Sequence, residues 1–142
     1  MEDEESFRVL CRKVLGRDLK ESEGVSDEEL ALAAKTVGCA LPSSLRAYYR
    51  CAGEADVLNT FHNEILPAQD WYLNEGHLVF MEENQGVVSW GLKVGAVDDP
   101  LVWQRNNTSG AWYSEEKSLL VFLEDLFGWY AQGADFPPSS EE

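Results

Sequence analysis

Basic residues are scarce in this chain. Eleven Lys and Arg stand against twenty-six Asp and Glu, giving a formal net charge of −15. Phosphate recognition depends on clustered Lys and Arg, so direct nucleic-acid binding and adhesion to an anionic membrane are not expected. The acidity leaves two readings, a solubilising surface or steering toward a basic partner. No apolar run approaches the roughly 20 residues of a membrane helix. Met1 to Glu5 is acidic where a secretory signal would be basic and then apolar, so the expected location is cytoplasmic. The cysteines number three, Cys11, Cys39 and Cys51, widely spaced and without a CxxC, which argues against a disulfide framework or a zinc knuckle and for buried free thiols. No GxSxG, HExxH, GxGxxG or P-loop motif occurs. The two histidines, His62 and His77, lack ligand neighbours at metal spacing, and His77 reads as a surface or capping residue at a strand edge. Neither a catalytic residue, nor a metal, nor a cofactor is expected.

What is present suffices for one folded domain over residues 1–136, with 137–142 as a short polar tail. Hydrophobic residues make up 44% and aromatics 11%, which rules out a disordered composition. Phe7, Leu10, Cys11 and Val14 fall at helical spacing, with Gly16 to end the helix. Lys20 to Val25 is polar and reads as a loop. Ser26 and Glu29 form a capping box ahead of Leu30, Ala33, Ala34 and Val37, and Gly38 closes that helix. Pro42 suits the first turn of a third helix with the stripe Leu45, Tyr48, Tyr49 and Ala52, stopped at Gly53.

The period then changes. His77 to Met81 is a short apolar run, expected to be a strand covered on both faces. Asn84-Gln85-Gly86 makes a turn, and Val88, Trp90, Leu92 and Val94 alternate as a second strand with Trp90 facing in. Glu82 and Glu83 fall at the tip of this hairpin. Asp98-Asp99-Pro100 is another turn, Leu101 to Arg105 a third strand, and Ala111 to Tyr113 a fourth. Overlapping Asn-x-Ser/Thr sequons at Asn106 and Asn107 mark a polar turn. Leu119, Phe122, Leu123, Leu126 and Tyr130 form the stripe of a closing helix, from which Val121 and Trp129 diverge. Helices, a meander and a helix predict an α+β domain with a bent antiparallel sheet of about four to six strands, packed by N-terminal helices and a C-terminal helix.

Paired carboxylates at Glu82-Glu83, Asp98-Asp99 and Glu115-Glu116 are the only hint of acid–base chemistry. Neighbours on a strand point to opposite faces, so the pairs do not converge by sequence alone, and no nucleophile accompanies them. Of the five tryptophans, Trp90 and Trp103 read as core residues of strands. Trp71, in the polar segment Gln69-Asp70-Trp71-Tyr72, and Trp129, off its helix stripe, are candidate exposed anchors for a partner. The partner-binding candidates are therefore Trp71, Glu82, Glu83, Glu115, Glu116 and Trp129.

Taken in order, several segments resemble one family. Leu41-Pro42-Ser-Ser-Leu45-Arg-Ala-Tyr48-Tyr49 resembles the LP-x-x-L-x-x-Y helix of the SUKH superfamily, the Smi/Knr-like group, and Asn63-Glu-Ile65-Leu66-Pro67 the strand that follows it. Phe80-Met-Glu82-Glu83-Asn84-Gln85-Gly86-Val87-Val88-Ser-Trp90-Gly91 is similar to its central hairpin, Asp98-Asp99-Pro100-Leu-Val102-Trp103 to its D-D-P-x-V-W segment, and Ser118-Leu119 onward to its closing helix. The resemblance runs from about Leu41 to Leu123; the first forty residues match only as generic helices. It implies an α+β fold, no enzymatic activity, and the role of an immunity protein that binds a toxin domain, often a nuclease. Fungal relatives are interaction proteins, so a general intracellular scaffold is the alternative. It also implies that Leu41, Pro42, Tyr48, Asn84, Gln85, Gly86, Trp90, Gly91, Asp98, Asp99, Pro100 and Trp103 maintain the fold. A basic toxin domain is the partner that both charge and resemblance favour.

Overall fold

The helix signals determine the first third of the fold. In the computed structural model, which describes residues 3–95 and 98–133, α1 spans Glu4–Leu15, α2 Asp27–Val37 and α3 Ser43–Ala52. The 137–142 tail, the boundary at 136, and Met1 and Glu2 lie outside the described residues. Asp3 caps α1, accepting from the Ser6 amide, and Ser26 and Glu29 form the expected capping box on α2. Gly16 and Gly38 close these helices as expected. The loop expected at Lys20 to Val25 contains a single 3-10 turn, Glu21–Glu23. A one-turn helix α4, Asp56–Asn59, follows α3 and was not expected; Tyr48 Oη donates to Asn59 Oδ1 at 2.6 Å and Asn59 Nδ2 to the Ala52 carbonyl at 2.8 Å, which fixes it.

Six strands follow: β1 Asn63–Ile65, β2 Tyr72–Asn74, β3 His77–Glu83, β4 Val88–Lys93, β5 Val102–Asn106 and β6 Trp112–Ser114. They form one antiparallel sheet in the order β1-β3-β4-β5-β6, with β2 beside β1 along the same edge of β3. The register shifts between Val79 and Met81, a bulge that bends β3. Helix α5, Leu119–Ala131, is capped by Ser118 and closes the chain. The domain is α+β, as the sequence predicts.

Strand alternation and register divide the sheet into two faces. Leu78–Leu92–Val102 and Met81–Trp90–Gln104 lie on one of them. Phe122 of α5 packs there, its ring 6.1 Å from Trp90 and 6.5 Å from Phe80. Beneath it the core joins Phe7, Leu30, Leu45, Tyr48, Tyr49, Phe127 and Tyr130, all fully buried. Phe127, not Leu126, fills the central position of the α5 stripe: the 3.6-residue period puts it one turn beyond Leu123 and leaves Leu126 half-buried.

Candidate functional site

The other face of the sheet carries His77–Lys93, Val79–Gly91–Trp103–Ser114 and Glu82–Ser89–Arg105–Trp112, joined by Tyr72 and Glu64 on the edge strands. Its ring contacts are made within the face. Trp112 stacks flat on His77, with centroids 3.7 Å apart and an interplanar angle of 9°, and Trp103 meets the His77 ring edge-on at 5.6 Å. Lys93 Nζ lies 5.5 Å from the Trp103 ring centre, within cation–π reach. Trp112 Nε1 donates to Glu75 Oε1 at 2.9 Å, which pins the indole to the β2–β3 turn. Lys93 is exposed, Trp103, Arg105 and Trp112 are half-buried, and Tyr72 is 37% exposed.

The β3–β4 pairing is close at this point. A side chain at Gly91 would place its Cβ 3.0 Å from the Leu78 carbonyl oxygen and 3.2 Å from His77 Cβ, crowding β3 beneath the His77 ring. Glu75 and Gly76, with φ of 52° and 82°, form the two-residue turn that pairs Asn74 with His77.

His77 is a correction to the sequence reading. It is 6% exposed rather than a surface residue, and its Nδ1 lies 3.0 Å from the Glu75 carbonyl oxygen. Nδ1 therefore carries the proton and donates, leaving the Nε2 lone pair buried without a partner. Burial holds the ring's pKa below its ordinary value, against the raising effect of the nearby carbonyls. The second half of the face is polar. Tyr72 Oη donates to Glu82 Oε2 at 2.5 Å, Asn107 Nδ2 to Ser89 Oγ at 2.9 Å, and Arg105 Nη1 to Asn107 Oδ1 at 2.8 Å. The buried Arg105 Nε has no partner.

The sequence-derived candidates do not assemble into one site. Glu82 belongs to this face. Glu83 faces the other way and accepts from the Val87 amide at 3.1 Å, bracing the hairpin turn. Both are half-buried rather than projecting from a tip. Glu115 follows β6 and accepts from Trp90 Nε1 at 3.0 Å and Gln104 Nε2 at 2.9 Å, so it is a structural acceptor on the helix-covered face. Glu116 is exposed with a φ of 60°. Trp129, on α5, is 56% exposed, as expected, its ring 5.3 Å from that of His62. Trp71 is a correction: it is 6% exposed, meets Tyr49 edge-on at 4.8 Å and donates from Nε1 to Tyr49 Oη at 3.1 Å. Its polar neighbours Gln69 and Asp70 occupy a 3-10 turn whose exposure does not extend to the indole. Trp103 is also a correction, because the β4–β5 register places it opposite Gly91 and away from the α5 core.

Asp98 and Asp99 do more than turn the chain. Asp99 Oδ1 accepts from the Ser44 amide at 3.0 Å and from Ser43 Oγ at 3.1 Å, and Asp98 Oδ2 from Ser43 Oγ at 2.7 Å. Pro42 at the N-cap of α3 offers no acceptor, so these carboxylates cap the helix from a distant segment.

Among the described residues no group of three His, Cys, Asp or Glu is placed to hold a metal, and no helix is long and apolar enough to cross a membrane. Cys11 and Cys51 are buried free thiols and Cys39 is half-buried.

No protein-family model matches the chain, and curated proteins and solved structures yield no match.

Proposed function

We propose that this chain is a non-catalytic binding protein that neutralises a toxin domain, in the manner of the SUKH immunity proteins it resembles, and that it acts in the cytoplasm on a basic target such as a nuclease. The observation that carries the reading is the second face of the sheet. It presents Tyr72, Trp103, Arg105 and Trp112 as partly exposed side chains fixed by stacking and hydrogen bonds. Tyr, Trp and Arg are the residues most often responsible for binding energy at protein interfaces, and rings held in place before encounter lose little entropy on binding. The carboxylate pairs favour binding over acid–base chemistry: Glu82, Glu83 and Glu115 are each engaged in a hydrogen bond that braces the sheet.

The test is binding kinetics against the inactivated product of the reading frame beside this chain's own, at several salt concentrations. Nanomolar binding whose association slows with salt supports the reading; no binding of that product refutes it. A specific observation favours the scaffold alternative. Trp129 of α5 and His62, just before β1, form a second exposed aromatic surface, which would serve a second partner. Loss of toxin neutralisation in Trp129→Ala would instead assign that surface to the same partner.

A further inference from the structure

The charge is unevenly placed. Residues 1–50 hold eight basic and ten acidic residues, whereas residues 51–142 hold three basic and sixteen acidic. In the first part the charges neutralise one another locally: Arg8 and Arg50 with Glu4, Arg12 with Asp18, Arg17 with Glu23, and Arg46 and Arg50 with Asp27. Elsewhere among the described residues the one ion pair is Lys117–Asp125. The chain beyond residue 50 is thus strongly negative, and among its described residues few of those charges are paired.

The imbalance is most pointed at one place. In the β1–β3 register Glu64 stands directly opposite Glu82, on the same face as Tyr72, Arg105 and Trp112. Like charges opposite one another oppose strand pairing. Arg105 does not relieve them: its guanidinium bonds to Asn107 and forms no ion pair with either carboxylate. The Glu64 side chain is exposed and its carboxylate makes no hydrogen bond or ion pair, whereas Glu82 is held in place by Tyr72 Oη.

Resting on the binding function proposed above, we infer that this sheet face docks a basic protein segment and that the Glu64–Glu82 pair receives an arginine of the partner. Two carboxylates on adjacent strands offer acceptors to the fork of a guanidinium, and the Tyr72 ring, whose hydroxyl donates to Glu82, offers it aromatic surface. The helical half, already self-neutralised, faces away from the partner.

The experiment titrates the isotope-labelled full chain with a tetra-arginine peptide at low salt and follows backbone and indole N–H signals. Shifts centred on β1, β2 and the Glu82 end of β3 are expected. Glu64→Gln/Glu82→Gln is expected to weaken the peptide at least about tenfold without lowering the melting temperature, while Glu21→Gln/Glu28→Gln, the same change of net charge on the helical half, alters it by less than about twofold. Equal effects of the two double variants, shifts centred on Trp129 or Glu116, or equal affinity for a tetra-lysine peptide would overturn the assignment. The peptide reports on the face whatever the natural target is, so its failure is distinct from failure of the toxin product to bind.

Discussion

Replacing Trp71 separates a core indole from a binding anchor. The ring is 6% exposed, so Trp71→Ala removes a full aromatic side chain from a packed site, a change that costs about 3–5 kcal/mol. Two specific interactions contribute to that figure. The edge-on contact with Tyr49, centroids 4.8 Å apart at 76°, is worth about 0.5–1.5 kcal/mol beyond burial. The Nε1–H bond to Tyr49 Oη, itself a donor to the Leu66 carbonyl, adds about 1 kcal/mol. Trp71→Phe keeps an aromatic edge and loses the donor, so it should cost about 1–2 kcal/mol. Urea unfolding followed by far-UV circular dichroism gives both values, and a double-mutant cycle with Tyr49→Phe should return a coupling of about 0.5–1.5 kcal/mol. A Trp71→Ala protein that unfolds like wild type but no longer binds its partner would refute the reasoning and restore the indole as an anchor.

Three further outcomes follow from the same geometry. Asp99→Ala, which strips the distant cap from α3, should destabilise by about 1–2 kcal/mol in urea melts, and Asp98→Ala by less because Asp98 reaches only the Ser43 hydroxyl; equal, negligible effects would contradict the capping role. His77 is neutral and its folded pKa is depressed below 6.5, so its contribution is complete above that pH and declines as acid is added, the unfolded chain taking up the proton first. The drop in urea midpoint between pH 7.5 and 5.5 should therefore be smaller in His77→Phe, and an identical drop would exclude the effect. Burial pushes the Cys51 thiol up to about 12 and Cys11 higher still, while Cys39 is shifted less, so a thiol reagent at pH 8 should label Cys39 first and the other two only on unfolding; immediate labelling of all three would show an open core.

Signals local in sequence translated directly into structure. Ser26 with Glu29, the glycines after α1 and α2, and the alternation around Trp90 each depend on neighbours within one turn or one strand. The elements that escaped are those whose stability is tertiary. Helix α4 is a single turn held by Tyr48 and the Ala52 carbonyl, and β2 is three residues long. The β2–β3 turn puts Glu75, not Asn or Gly, at a positive φ, so the usual hairpin cue is missing. Capping of α3 by Asp99 joins residues 55 positions apart, beyond any motif window.

Register explains why the candidate face was harder to see than the fold. Trp90 and Trp103 each sit inside a short strand and look equivalent in sequence, yet pairing Gly91 with Trp103 sends the two rings to opposite sides of the sheet. Gly91 was the available clue, since a glycine inside a strand marks close approach, here by the His77 side chain and the Leu78 carbonyl. The charge imbalance between the two parts of the chain was also readable without coordinates. What no pattern foretold is that the local costs gather on one side. Of the three buried side-chain polar atoms without a partner among the described residues, Ser44 Oγ lies on α3, but His77 Nε2 and Arg105 Nε, together with the Glu64–Glu82 opposition, belong to the face without the helix, whereas Trp90, Gln104 and Glu115 on the covered face satisfy one another. Stability alone would remove such costs by substituting apolar or oppositely charged residues at those positions. Their concentration where Trp103 and Trp112 are also left partly exposed is what selection for a partner would leave behind, and on the proposed reading that partner supplies the missing positive charge.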